Sequence, residues 1–507
     1  MTPARRSRFV SNTAALGVST AASTVLTLVQ VKLLAAYLSQ DLFGLFAALR
    51  GLSLLVSMLA SNGLPQLLVR FLPVHESRGQ VRRATILSAL CVAVSALATA
   101  VLLTGVHLMR GTFLSAVPEA VREGPFLFWF YATTLGVTLK LVLYGGLGGL
   151  RRFSSQTWLE TVSLLVQVGW VFALRDRLDL ATLFMILGTV SLAGVVVGLP
   201  WLARHLRRDV GHAEAPSQPA TGYGSYWLGA AGLSLVALAF TDVDRYVLSG
   251  VLALEVLSLF HIASRVVRLC NRFIGIPVLA FQPEVSRVDA EGRQDAVEFS
   301  TRVFLKFNVV ISVFAAFTIA AFSGEIIRAI ASVDYLGARP LLLLLSVSIP
   351  LTALTAPLTA VMKSRDQVRH AFYCDLAWAV SYIVLLVLMG KRFGLLGAGY
   401  AHVAACTIQL ALAVRLSRLG VGRAAIHALT RVVLVCILAF AAVVAVQWLP
   451  ASPTLALGLK LLLLVVGVVV FRRGVLALAV FDADEHRRLN EMLGSSAPGR
   501  LVGRLLS

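Results

Sequence analysis

The sequence predicts an all-α integral membrane protein of about fourteen transmembrane helices: two pseudo-symmetric six-helix bundles around a central cleft, plus two C-terminal helices. Three observations predict it. Of 507 residues 58% are hydrophobic and only 14% charged, where a soluble protein carries about 25% charge, so there is too little polar surface to cover a water-soluble globule. Apolar runs of about 17–25 residues, long enough to cross a bilayer, recur along the whole chain. The Lys and Arg residues fall in alternate loops between them. The same composition excludes a cytosolic enzyme, a secreted disulfide scaffold and a disordered chain.

The first six runs lie near Asn12 to Leu38, Leu42 to Met58, Ala84 to Leu108, Phe126 to Leu147, Gln156 to Leu174 and Leu180 to Leu202. Arg5, Arg6 and Arg8 precede the first, which is too long for a signal-peptide core and lacks a convincing cleavage site, so it is expected to remain as a span. Eight more follow, near Tyr226 to Leu248, Leu252 to Phe281, Phe304 to Ile330, Pro340 to Met362, Ala371 to Met389, Leu395 to Val414, His427 to Leu449 and Leu455 to Phe471. The stretch Ala203 to Ser225 begins basic and then turns to Pro216, Ser217, Pro219, Gly222 and Gly224, the composition of a flexible connector. The expected domains are therefore a six-helix bundle at 1–202, a cytoplasmic linker at 203–225, a second bundle at 226–416, two additional helices at 417–481 and a cytoplasmic tail at 482–507. Within the tail, Asp482 to Leu493 reads as a short amphipathic helix. QDLFGLFAAL (Gln40 to Leu49) aligns with LEVLSLFHIA (Leu254 to Ala263) at an offset of 214, and an FxP follows each, at Phe71 to Pro73 and Phe281 to Pro283. Two related bundles about a cleft are the arrangement of alternating-access transporters.

The formal charge is +20. Arg70, Arg78, Arg82 and Arg83; Arg151 and Arg152; Arg204, Arg207 and Arg208; Arg287, Arg293 and Arg302; Lys363, Arg365 and Arg369; and Arg415, Arg418 and Arg423 all occupy alternate loops. Those loops are expected to face the cytoplasm with both termini, and the excess needs no nucleic acid to explain it. Cys91, Cys270, Cys374, Cys406 and Cys436 sit in apolar runs at no metal-ligand spacing, so no disulfide, metal or cofactor is expected. No Walker motif, HExxH or Cys/His cluster is present, and no catalytic residues are assigned.

Charges inside spans carry the functional signal, because an Arg at the bilayer centre costs roughly 2.5–3.5 kcal/mol on insertion scales and persists where it faces water or a partner. His261, Arg265, Arg268 and Arg272, spaced by 4, 3 and 4, share one helical face, with Asn271 beside it. With Arg50 in the second span they form a candidate cationic substrate-binding cavity. The competing reading of Arg265 to Arg272 is a surface loop or a snorkelling helix end. Lys32, Lys140, Gln30 and Asn271 are candidate cavity lining, although Lys32, Lys140 and Lys460 also fit snorkelling. Gln30 belongs to a polar stripe with Ser19, Ser23 and Thr27, which serves helix packing equally well. Asp242, Asp244 and Asp375 are candidates for coupling transport to H⁺ or Na⁺, the alternative for the first two being a structural pair with Arg245 or Arg50. Pro65, Pro350 and Pro357 are expected to break or bend helices, and Gly145 and Gly149 match a GxxxG contact. A wet cationic cleft in an apolar bundle suits a cargo with a phosphorylated head and a lipid tail.

AAYLSQDLFGLFAAL (Ala35 to Leu49), GLPQLLVRFLP (Gly63 to Pro73), TDVDRYVLSGVLALEVLSLFHIASRV (Thr241 to Val266), VDYLGARPLLLLLSVSIP (Val333 to Pro350) and FGLLGAGYAHV (Phe393 to Val403) resemble the polysaccharide-flippase (Wzx-type) family of the multidrug/oligosaccharidyl-lipid/polysaccharide superfamily. The resemblance runs from Phe9 to Arg423. It implies translocation of undecaprenyl-diphosphate-linked oligosaccharide units across a bacterial inner membrane, for O-antigen, capsule or exopolysaccharide assembly, with polysaccharide polymerases as potential partners. The related lipid II flippases carry cavity arginines on their first, second and eighth spans. Arg50 and the Arg265/Arg268 pair occupy similar places, whereas the first span here offers only Lys32; the lipid II flippase signature is absent from the early spans. Two other readings are a drug or organic-cation antiporter of the same superfamily and a non-transporting scaffold of polysaccharide assembly. Deep cations that match or outnumber deep anions weigh against the first, and buried arginines against the second.

Overall fold

A computed structural model describes residues 22–77, 80–114, 124–150, 152–209, 223–238, 243–290, 294–365, 367–417, 427, 430–437, 453–477 and 484–485, and among them there is no strand. In chain order the helices are α1 (Ala22–Tyr37), α2 (Gln40–Ser61), α3 (Leu64–Ser77), α4 (Val81–Leu108), α5 (Arg110–Phe113), α6 (Pro125–Gly149), α7 (Phe153–Ala173), α8 (Leu180–Asp209) and α9 (Tyr223–Leu238). They continue as α10 (Val243–Ser249), α11 (Leu254–Ala290), α12 (Gln294–Ala321), α13 (Ser323–Ile330), α14 (Arg339–Ser346), α15 (Ser348–Ser364), α16 (Val368–Ser417) and α17 (Pro453–Ala477). Seven segments among the described residues are long and apolar enough to cross a bilayer. The protein is an all-α, multi-pass membrane protein.

The chain divides into two compact units, residues 1–261 with 330–332, and residues 262–329 with 333–507. In the first unit α6 lies against α8, α3, α2 and α4. The GxxxG pair makes the α6–α3 seam: a Cβ on Gly145 would meet the backbone of Pro65 at 2.5 Å, and one on Gly149 would meet the Leu68 carbonyl oxygen at 2.7 Å. Leu67, Leu68, Leu72, Val142, Leu143 and Leu147 fill the core beside it. α2 is capped by Ser39, whose hydroxyl accepts from the Leu42 amide, and the acid Asp41 lies in its first turn. Pro65 stands in the first turn of α3, where its missing N–H is not needed.

In the second unit α15 lies between α12 and α16, with Phe304, Phe307, Val310, Leu358, Val361 and Cys374 in the common core. α16 is nominally one helix of 50 residues, with Gly394 at φ 58° and ψ −133° inside it. It is a hairpin: Trp378 Nε1 lies 3.4 Å from Cys406 Sγ, and the Tyr382 and His402 rings are 5.3 Å apart. Residues so far apart in sequence would stand about 30–40 Å apart on a straight helix. Its two arms match the expected eleventh and twelfth spans. The tenth span is interrupted at Val347, where α14 ends and α15 begins; Pro350, three residues on, has no N–H to offer the Ser346 carbonyl.

Span ends differ from expectation where charge hides a helix. The ninth span, expected from Phe304 to Ile330, is α12 from Gln294 to Ala321 followed by the separate α13. Glu298 and Arg302 lie on the same helix as the apolar run, and a hydropathy window stops at them. The eighth, expected to end at Phe281, continues as helix to Ala290. The aligned repeat is kept in structure: Gln40 and Leu254 are the first residues of α2 and α11.

Candidate functional site

α11 has 37 residues, about 55 Å of continuous helix, so Arg265 to Arg272 are not a loop. With Leu254 at one edge of a hydrocarbon core about 30 Å thick, His261 would lie about 10 Å deep, Arg265 about 16 Å, Arg268 about 21 Å and Arg272 about 27 Å. On that placement Arg265 would be at mid-depth, Arg268 about two-thirds of the way across and Arg272 near the far interface. α11 is not among the seven helices apolar enough to cross on composition. Its charges need water, partners or ligand to stay in the membrane.

Along this face exposure increases from His261, which is 3% exposed, through half-buried Arg265 and Arg268 to exposed Arg272. The Arg268 guanidinium donates to Ser264 Oγ one turn back at 2.7 Å. Asn271 is half-buried at the edge of the face. The first eight residues of α11 rest on α2 within the first unit: a Cβ on Gly44 would meet the Leu254 carbonyl oxygen at 1.9 Å, and the Phe43 and His261 rings meet edge to face at 5.0 Å. Arg50 stands half-buried at the middle of α2.

The other sequence candidates take varied places. Gln30 is buried and donates to Gln167 Oε1 at 3.3 Å, while Ser23 and Thr27 of its stripe are also buried. Lys32 is exposed. Lys140 lies over the Tyr144 ring at 5.5 Å, with Glu160 of α7 in electrostatic range. Asp244 is buried next to fully buried Arg245. Asp242 lies outside the described residues. Asp375 accepts from Gln409 Nε2 at 3.0 Å and stands 3.8 Å from Lys363 Nζ, inside the second unit. Lys460 does not snorkel: it is 4% exposed and donates to Glu325 Oε1 at 2.7 Å.

Sequence reasoning missed His402. It sits on the second arm of α16 against Trp378 and Tyr382, with Cys406 Sγ 3.8 Å from its Nε2 and Arg268 in electrostatic range. Nothing in its local sequence marks it, because the hairpin and α11 assemble these groups. The second unit therefore sets Arg268, one turn from Arg265 on α11, near a helix pair that carries an aromatic cluster. Guanidinium groups offer forked donors to phosphate oxygens, which makes this the candidate place for an anion.

Residues 9–288 match the profile of a family described as polysaccharide biosynthesis protein. The chain belongs to that family. Its fold is similar to that of the lipid II flippase MurJ in an inward closed conformation, with a TM-score of 0.64 and 14% identity over 91% of this chain and 99% of that one. It is also similar to an inward-facing multidrug-resistance MATE transporter of the MOP superfamily, with a TM-score of 0.59 and 12% identity over 79% of this chain and 95% of that one. A third solved structure is a MOP superfamily transporter from Pyrococcus furiosus whose binding pocket is described as reversed in polarity; here the TM-score is 0.51 and the identity 14% over 81% and 95% of the two chains. A search of curated protein sequences gives no match. Family and fold therefore place the chain among polysaccharide biosynthesis proteins with a fold shared by MurJ and MATE structures.

Proposed function

We propose that this family member is a flippase for undecaprenyl-diphosphate-linked oligosaccharide units. It turns them across the bacterial inner membrane by alternating access, supplying O-antigen, capsule or exopolysaccharide assembly, with both termini cytoplasmic and polysaccharide polymerases as downstream partners. One observation carries the reading: His261, Arg265, Arg268 and Arg272 form a cationic face on an unbroken helix of a transporter fold. Cations at that depth are retained at a cost in insertion energy, and a diphosphate head that meets them offsets it. The prenyl tail stays in hydrocarbon while the sugar follows the head, which avoids drawing polar groups through lipid. Arg50 is the proposed cation of the first unit. Lys32, Lys140, Gln30 and Asn271 are the proposed lining, and Asp242, Asp244 and Asp375 the proposed sites for a coupling H⁺ or Na⁺.

Complementation of a flippase-deletion strain, scored as surface polysaccharide, tests it. Arg50→Ala, Arg265→Ala and Arg268→Ala should each lower the yield at least about tenfold at equal expression, and Arg204→Ala, on an exposed site, should not. Equal yields from all four remove the charge argument.

A further inference from the structure

Contacts from Lys460 and Phe471 of α17, and from Glu485 beyond it, step antiparallel along α12. Lys460 Nζ reaches Glu325 Oε1, just past the end of α12, at 2.7 Å, and the Ala321 carbonyl oxygen at 3.3 Å. Phe471 lies 4.8 Å, centre to centre, from Phe314. Beyond α17, Glu485 reaches back to Lys306, whose Nζ donates to both carboxylate oxygens at 2.8 and 2.7 Å. All of these residues belong to the second unit.

The last contact is unlike a surface ion pair. The Glu485 side chain is 2% exposed and that of Lys306 16%. Lys306 lies between Leu305 and Phe307, both buried, with Phe304 close by, and Glu485 is the one carboxylate within ion-pair distance of it among the described residues. A carboxylate with no seat to fill would stay in water, because removing an ion from water costs several kcal/mol before a partner repays it. Two apolar side chains would fill this seat at least as well, so what the pair adds is register: a single seat that accepts a single charge.

We infer that Glu485, seated at Lys306 of α12, is a charge-keyed strap that holds α17 in place along the second unit. The occupant of the seat is this chain's own Glu485. The strap supplies a counter-charge to Lys306 that no other described residue provides, and neutralising either member opens it. Opening it uncovers a native reporter. Cys436 is fully buried in the same core cluster as Phe471, and its neighbour Val435 lies so close to α17 that a Cβ on Gly474 would meet it at 2.7 Å.

The test uses the purified full chain in detergent, with thermal unfolding and maleimide labelling of Cys436 resolved by peptide mass. Glu485→Gln and Lys306→Gln should each lower the unfolding temperature by about 4 °C or more and speed Cys436 labelling at least about tenfold. The double variant Lys306→Gln/Glu485→Gln, and the exchanged pair Lys306→Glu/Glu485→Lys, should recover most of both losses, because each again matches seat and occupant. Single variants that behave as wild type overturn the strap. So do losses that simply add in the double variant, or a double variant that does not fold, since either means that the two groups do not act as a pair.

Discussion

Gly44 is the tightest point between α2 and α11, where hydrogen is the largest side chain that fits. Its would-be Cβ meets a carbonyl oxygen of the other backbone at 1.9 Å, and a backbone cannot rotate aside as a side chain can. Gly44→Ala should therefore cost about 1–3 kcal/mol of stability through forced separation of the helices. Gly105→Ala in α4, with nothing within 4 Å, should be neutral or stabilising by up to about 1 kcal/mol. Thermal unfolding of both variants in detergent makes the comparison, and an equal response would remove the close-packing account. How much of such contacts the sequence discloses depends on how local they are. The helical face of His261, Arg265, Arg268 and Arg272 is a matter of spacing along one helix and was legible. The partner of Lys460 was not, because Glu325 lies 135 positions away and nothing in the segment around Lys460 distinguishes pairing from snorkelling. Lys306 and His402 were missed for the same reason, each acquiring its neighbours only when distant helices come together.

At the scale of elements, the hairpin α16 shows how polar groups join spans. Contacts step down one arm as they step up the other: Asp375 with Gln409, Trp378 with Cys406, Tyr382 with His402. Lys363 of α15 adds a charge at the Asp375 end, with 36% of its side chain exposed, against 23% for Asp375. So open a pair contributes about 1 kcal/mol or less, whereas the buried Gln409 amide needs its acceptor. Asp375→Asn, which keeps an acceptor, should cost less than about 1 kcal/mol, and Asp375→Leu about 1–3 kcal/mol. Flux into proteoliposomes under imposed pH and Na⁺ gradients gives the second readout. If Asp375 serves the hairpin, Asp375→Asn retains the wild-type gradient response; loss of that response at undiminished stability assigns it to ion coupling instead. The hairpin itself was legible as two apolar runs with Gly394 between them. The starts and ends of α11 and α12 were less so, because helix geometry continues through charged residues that a hydropathy window rejects.

At the scale of the whole chain, loop charge and tertiary contact support the same parity. In the first unit, His75 at the end of α3 bonds Tyr223 at the start of α9 at 2.7 Å, so the second and sixth loops share a side. Tyr246 reaches the Phe113 carbonyl oxygen at 3.4 Å, which joins the expected opposite ends. In the second unit Arg365 bonds Asp289 at 3.0 Å, placing the basic end of α15 with the far end of α11, and Lys460 meets Glu325 at the other side. Basic residues are retained on the cytoplasmic side during insertion, so the arginine-bearing set is the one proposed to face the cytoplasm. Exposed Arg83 and Arg204 lie in that set, and exposed Arg175 and Asp334 in the opposite one. Single replacements by Cys at these four positions convert the assignment into a labelling pattern. A membrane-impermeant maleimide should modify Arg83→Cys and Arg204→Cys only in inside-out vesicles, and Arg175→Cys and Asp334→Cys only in intact spheroplasts, with native cysteines separated by peptide mass. Four sites reacting from one face, or either pair split between faces, would break the alternation on which fourteen spans and cytoplasmic termini both depend. A correct pattern would put the Lys306 seat of the strap on the cytoplasmic half of α12 and the Lys460 contact on the outer side, so that α17 is held at both ends of the second unit.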